Sequence, residues 1–371
     1  MTDQQLASTG QTTSTAPPKH SSYIHSLDGI RAFAVLIVLL SHTGYSDVVP
    51  GRAGVTIFFF LSGYLITTLM LAEYEKKGTI EVGKFYSRRF IRLLPPILLA
   101  LPTIYIATAF GLIPGEANIG TFFGQLFYAA NYLEIFVDDL QKPDGTIILW
   151  SLAIEEHFYI LYPLLILPLL KRFSYTQIFG IFAVICAATL SWRFYLAGQP
   201  NFDPDRTAFG TDTRADSILL GCMLALSKLT HINREKVDPK KLPIKGFALF
   251  LVGVLLFGFT LTMEDQFDRE TIRYTLQGLA LAPLLYYPIV YHKHLFFRIL
   301  ENPVLKKVGV FSYAIYLVHF PLHEGLVEHI DVLANSAPLA TVATLLISGA
   351  IAWGIDVAID GPLKKYRASL R

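Results

Sequence analysis

The stretch Leu27–Gly44 reads LDGIRAFAVLIVLLSHTG, an apolar run with one arginine near its start and one histidine near its end. On an uninterrupted helix, the eleven steps from Arg31 to His42 come to within about 20° of three full turns. Both side chains then share one face, about 16 Å apart along the axis. A guanidinium and an imidazole on one stripe of a membrane helix are costly against lipid. The stripe is therefore expected to face a bundle interior or a wet cavity. Snorkelling of the two residues to opposite headgroup layers is the competing reading. The helix alone leaves the two level.

Composition supports the membrane setting. The 371 residues are 53% hydrophobic and only 16% charged, against about 25% charged in a typical soluble chain. Mean hydropathy is +0.47. The two cysteines, Cys186 and Cys222, both lie in apolar runs, which disfavours a disulfide scaffold or a cysteine metal site. The net charge of +2 is less informative than its distribution, and no nucleic-acid partner is expected. Residues 1–24 are rich in Ser, Thr, Gln and Pro and read as a disordered tail rather than a cleaved signal.

Further apolar runs follow at Val55–Leu71, Leu93–Leu112, Thr146–Leu170, Tyr175–Leu196, Thr213–Leu226, Ile244–Met263, Ile272–Tyr291, Val310–Val327 and Leu339–Ile359. With the first run they predict an all-α polytopic bundle of about ten spans. The basic cluster in Ala72–Arg92 marks a cytoplasmic loop. Residues 119–137 are apolar but carry Gln125, Asn131 and Glu134. If they crossed, the basic loops after Lys171 would all fall outside, against the positive-inside rule. A re-entrant or interfacial segment keeps them inside, with both termini, including the basic tail 364–371, in the cytoplasm.

Several residues in this frame carry chemistry. Arg89 and Arg92 are spaced i, i+3 at the cytoplasmic end of the third span, in the leaflet of Arg31. Guanidinium forks suit the phosphates of a cytoplasmic polyphosphate ligand, and anionic lipid headgroups are the plainer partner. Glu155 and Glu156 open the Thr146–Leu170 run. They either complement a helix dipole, or one of them orients His42 as a general base. Arg214 and Asp216 read as a local ion pair. Ser312, Tyr316 and His319 form a polar stripe that lines a substrate path or joins helices. No Walker A loop, metal-ligand triad or Gly-x-Ser-x-Gly elbow appears in the sequence.

The motifs, in order, are LDGIRA…LLSH, GVTIFFFLSGYLI at 54–66, FYSRRFIRLLPP at 85–96, WSLAIEEHFY at 150–159, TRADSILLG at 213–221, FSYAIYLVHFP at 311–321 and a closing Asp360-Gly361-Pro362. Together they resemble the membrane acyltransferase-3 family, polytopic O-acyltransferases of lipopolysaccharide, peptidoglycan, exopolysaccharides and macrolides. The likeness covers about residues 25–363. Asp360 stands where the family usually has glutamate. Some members of that family add an extracytoplasmic transferase domain. Here the resemblance implies final transfer by the membrane domain itself or by a separate partner.

The resemblance implies an inner (plasma) membrane enzyme with an acyl-CoA donor, commonly acetyl-CoA, and a saccharide or glycolipid hydroxyl as acceptor, with no permanently bound cofactor or metal. It places the CoA phosphates at Arg31, Arg89 and Arg92, and makes His42 the general base or a transient acyl carrier oriented by Glu155. Arg214, Asp216 and His319 carry over as support, with Tyr316 beside them. The alternative is a non-catalytic transporter or flippase of a lipid-linked glycan, in which intramembrane Arg and His are pathway residues.

Overall fold

The computed structural model describes residues 25–229 and 236–363. The expected tails 1–24 and 364–371 lie outside these residues. Among the described residues the chain is helical and has no strand. In order come α1 (His25–Leu40), α2 (Gly51–Lys77), α3 (Val82–Ala109), α4 (Ile119–Leu126), α5 (Ala130–Phe136), α6 (Leu149–Arg172), α7 (Tyr175–Ala197), α8 (Pro204–Phe209) and α9 (Ala215–Leu226). They are followed by α10 (Ile244–Leu261), α11 (Gln266–Glu270), α12 (Ile272–Val290), α13 (Pro303–His329) and α14 (Ala337–Ile355). Local signals set many of the ends. A Ser174/Gln177 capping box opens α7, Asn302 caps α13 just before Pro303, and Gly78 closes α2 at φ 70°.

Seven of these helical segments are long and apolar enough to cross a membrane. The remaining three expected spans are α9, α12 and α13. The first has only 12 residues, and the other two are more polar. They bury Arg273 and Gln277 on α12, and Ser312, His319 and His323 on α13, against other helices. Protein-facing helices need not be apolar all round. The expectation of about ten spans is therefore met for seven.

Residues 119–137 form two short helices of 8 and 7 residues, each far below the roughly 20 residues that a span needs. Their turn holds Tyr128 at φ 58°. An antiparallel bridge joins Gly115 to Pro143, and the Glu116 amide donates to the Lys142 carbonyl at 3.0 Å. The two ends of the excursion thus meet, which gives the segment a hairpin path.

The first span departs from expectation. Regular α-helix stops at Leu40, and Ser41–Tyr45 winds as a π-turn in which Thr43 and Gly44 leave helical torsions, Gly44 at φ 97°. Hydroxyls compete for the backbone there. Thr43 donates to the Leu40 carbonyl at 3.3 Å, and Thr341 on α14 donates to the Thr43 hydroxyl at 2.8 Å. The shared-face argument for Arg31 and His42 holds only as far as Leu40. Beyond it the wider turn aims the imidazole, and such turns are frequent at functional sites.

Two close contacts fix the frame. A Cβ on Gly221 would sit 2.0 Å from the Phe60 carbonyl oxygen, and one on Gly63 would sit 2.0 Å from that of Ile218. Helices α2 and α9 therefore touch backbone to backbone. Helix α1 meets α13 likewise, where a Cβ on Gly309 would come 1.9 Å from the Asp28 carbonyl oxygen. Small residues at such crossings drive helix association in membranes. Gly221→Ala is expected to cost about 1–3 kcal/mol by overpacking, read as a lower thermal midpoint of the detergent-purified protein. Gly258→Ala, where a Cβ meets nothing within 4 Å, is expected to leave the midpoint in place.

Candidate active site

Polar side chains gather at two levels of the bundle. At one level are Arg31 from α1, Arg89 and Arg92 from α3, and Glu155 and Tyr159 from α6. The Arg89 guanidinium lies over the Tyr159 ring, 4.3 Å from its centre, and electrostatic coupling links Arg31 to Arg92, Asp28 and Glu155. All three arginines are half-buried. No described carboxylate forms an ion pair with any of them, whereas the neighbouring Arg88 pairs with Glu73 at 3.6 Å. Asp28, Glu155 and Glu156 offset part of this positive charge, yet none of them forms an ion pair with any of the three guanidinium groups, so the three forks can still take an anionic ligand.

At the other level, His42 Nδ1 lies 2.9 Å from His319 Nε2. The His42 ring also stacks on Phe320 at 4.3 Å with only 5° between planes. His319 is fully buried, and its Nδ1 lies 2.8 Å from the Tyr316 carbonyl oxygen. The Tyr316 hydroxyl lies 2.6 Å from that of Ser151. His42, Tyr316, Trp150, Phe209 and Arg52 line a cavity of about 190 Å³. Arg52 is held there by Glu270 at 3.2 Å and Asp205 at 3.3 Å.

Helix α6 links the levels. Ser151 belongs to the histidine level. One turn on, Glu155 accepts a hydrogen bond from Ser62 at 2.7 Å, and Tyr159 donates to Ser62 at 2.9 Å. This corrects the pairing expected for Glu155. Its carboxylate joins Ser62 and the arginines, not His42, because it sits a full turn deeper than the residues of α6 that reach the imidazole level. His42 has His319 as its hydrogen-bond partner instead.

The local Arg214–Asp216 pair is also corrected. Asp216 is gripped by Arg193 from α7, at 2.9 and 2.7 Å, with both side chains fully buried. Arg214, likewise buried, stacks over Tyr274 at 3.8 Å and donates to Thr56 at 2.9 Å and the Ala208 carbonyl at 3.3 Å. Arg214 is the non-helical residue before α9, at φ −115° and ψ 4°, while Asp216 lies in its first turn, and the two side chains go to different neighbours. Both belong to the packing around the site. Of the expected stripe on α13, Tyr316 and His319 reach the histidine level, while the Ser312 hydroxyl is buried with no partner among the described residues.

Sequence alone assigns no role to Arg193, Ser62 or Arg52. Arg193 carried a usable signal, a lone arginine in an apolar run. Ser62 and Arg52 carried none, since their partners lie 93 to 218 positions away. Among the described residues no group of three or more His, Cys, Asp or Glu side chains is placed to hold a metal ion.

A family model described as an acyltransferase domain matches residues 24–356. The peptidoglycan O-acetyltransferase OatA of Listeria monocytogenes is 33% identical over 314 residues, covering 81% of this chain and 49% of its own. A putative peptidoglycan O-acetyltransferase of Bacillus subtilis, YrhL, is 33% identical over 318 residues, 82% of this chain and 49% of its own. A putative O-acetyltransferase of Staphylococcus aureus, SACOL0978, is 34% identical over 320 residues, 81% and 51% respectively. The chain thus spans about half the length of these curated relatives. No solved structure matches it. With the family model covering nearly every described residue, the chain belongs to the membrane acyltransferase family whose members include peptidoglycan O-acetyltransferases.

Proposed function

We propose that the protein transfers an acetyl group from acetyl-CoA to a hydroxyl of a cell-wall saccharide, from a multi-pass position in the inner (plasma) membrane with both termini cytoplasmic. The observation that carries this reading is the pair of levels. Three arginines that form no ion pair among the described residues stand at one end of a polar ladder, and a hydrogen-bonded imidazole beside a cavity stands at the other. The positive-inside rule puts the arginines on the cytoplasmic side, where CoA is available. Arg31, Arg89 and Arg92 hold the CoA phosphates as charge-assisted hydrogen-bond donors. The pantetheine arm spans toward His42.

In the cavity His42 takes the proton of the acceptor hydroxyl while its oxygen attacks the thioester carbonyl. The tetrahedral adduct collapses, the C–S bond breaks, and the CoA thiolate recovers that proton. An acetyl ester and free CoA leave, with no net proton change. The aromatic walls Trp150, Phe209 and Tyr316 suit one face of a sugar ring. The names of the relatives supply the acceptor class.

Full-length protein in nanodiscs, given labelled acetyl-CoA and a cell-wall glycan, tests the reading. His42→Ala is expected to abolish transfer without loss of insertion, and retained turnover would rule out its role as base. Arg89→Ala and Arg92→Ala are each expected to raise the apparent KM for acetyl-CoA roughly 10–100-fold, the loss of a charge-assisted hydrogen bond of about 1.5–3 kcal/mol, with kcat changed much less. A fall in kcat alone would place these arginines outside the donor site.

A further inference from the structure

The contacts of the two histidines determine which nitrogen of His42 faces the reaction. The Tyr316 carbonyl oxygen has no proton to give, so the 2.8 Å contact requires an N–H on His319 Nδ1. A neutral imidazole with Nδ1 protonated has its lone pair on Nε2. That lone pair lies 2.9 Å from His42 Nδ1, which must therefore be the donor. His42 is left with its own lone pair on Nε2, the nitrogen not engaged by His319. His319 is 0% exposed, so water does not offer it a rival partner. Phe320, stacked on His42 at 4.3 Å, keeps the ring in plane for the bond.

We propose that His319 is a positioning residue that fixes His42 as its Nδ1–H tautomer and so reserves Nε2 as the atom that takes the acceptor proton. The inference rests on the role given to His42 above. The chain of donors runs from His42 Nδ1 to His319 Nε2, and from His319 Nδ1 to the α13 backbone. It plays the orienting part that a carboxylate plays in many hydrolase triads, with a neutral group in place of an anion. Glu155, the carboxylate expected there, is engaged with Ser62 one turn deeper on α6.

Two substitutions at one position separate this role from simple helix packing. The amide of Gln reaches the place of Nε2, so His319→Gln keeps an acceptor for His42 but gives up the bond to the Tyr316 carbonyl. The amide of Asn reaches only the place of Nδ1, so His319→Asn keeps the backbone bond and gives up His42. The lock predicts that His319→Asn lowers kcat roughly 100-fold, within the range of lost acid–base catalysis, with the acetyl-CoA KM unchanged, and that His319→Gln restores most of the rate. A purely structural role predicts the reverse order, and that order would overturn the proposal.

Nitrogen-15 spectra of histidine-labelled protein in nanodiscs read the tautomer without turnover. His42 is expected as Nδ1–H in the wild type and as a tautomer mixture in His319→Asn. An Nε2–H form of His42 in the wild type refutes the lock even if His42→Ala is inactive. Full activity of His42→Ala refutes its role as base, whatever tautomer the spectra report.

Discussion

An ionised side chain withdrawn from water costs several kcal/mol unless the protein replaces its hydration, and that constraint organises this bundle. Several of the charged groups among the transmembrane helices have a specific answer to it. Arg193 and Asp216 answer each other with two hydrogen bonds. Arg214 stacks on Tyr274 and donates to Thr56 and a carbonyl, leaving its Nε without a partner among the described residues. Arg52 is shared between Glu270 and Asp205. These groups tie α2, α7, α8, α9, α11 and α12 together through contacts distant in sequence. Breaking one buried partner strands the other, which is why such networks hold a frame more firmly than their net energy suggests. Arg31, Arg89 and Arg92 stand apart from this pattern. They keep partial exposure and form no ion pair among the described residues, although Glu155 lies beside them.

The parts of this arrangement legible in the sequence are those that depend on local pattern. Apolar runs located the helices, and a lone Arg and His within one run marked α1 as the element to explain. The i, i+3 spacing of Arg89 and Arg92 and the charge balance of the loops set them beside Arg31, where α3 brings them. What stayed illegible depends on contacts across the chain. His42 and His319 are 277 positions apart, and no periodicity predicts that pairing. Local pattern places Glu155 and His42 near one leaflet, but a single helical turn, about 5.4 Å, keeps the carboxylate from the imidazole. The π-turn was hidden because its cause, hydroxyl competition from Thr43 and Thr341, includes a residue on the last long helix.

In the proposed reaction, a neutral histidine behind His42 has chemical consequences that a carboxylate would not have. It holds a tautomer but adds no negative charge to stabilise an imidazolium. The protonated state of His42 therefore has little support from behind. A short-lived imidazolium suits the proposed transfer, whose thiolate leaving group takes the proton at once, and it suits apolar surroundings in which a lasting charge would be costly.

The joined ends of the hairpin at Gly115 and Pro143 settle a matter of parity. An excursion that returns to its starting side adds nothing to the count of crossings, so α3 and α6 run in opposite directions. Tyr159, ten residues into α6, can then lie beneath Arg89 near the start of α3, and the Tyr86 hydroxyl can reach the Ile160 carbonyl at 2.6 Å. A single additional crossing in that interval would reverse α6 and carry its carboxylates away from the arginines. The small neck of a short hairpin thus governs which charges in the bundle face one another.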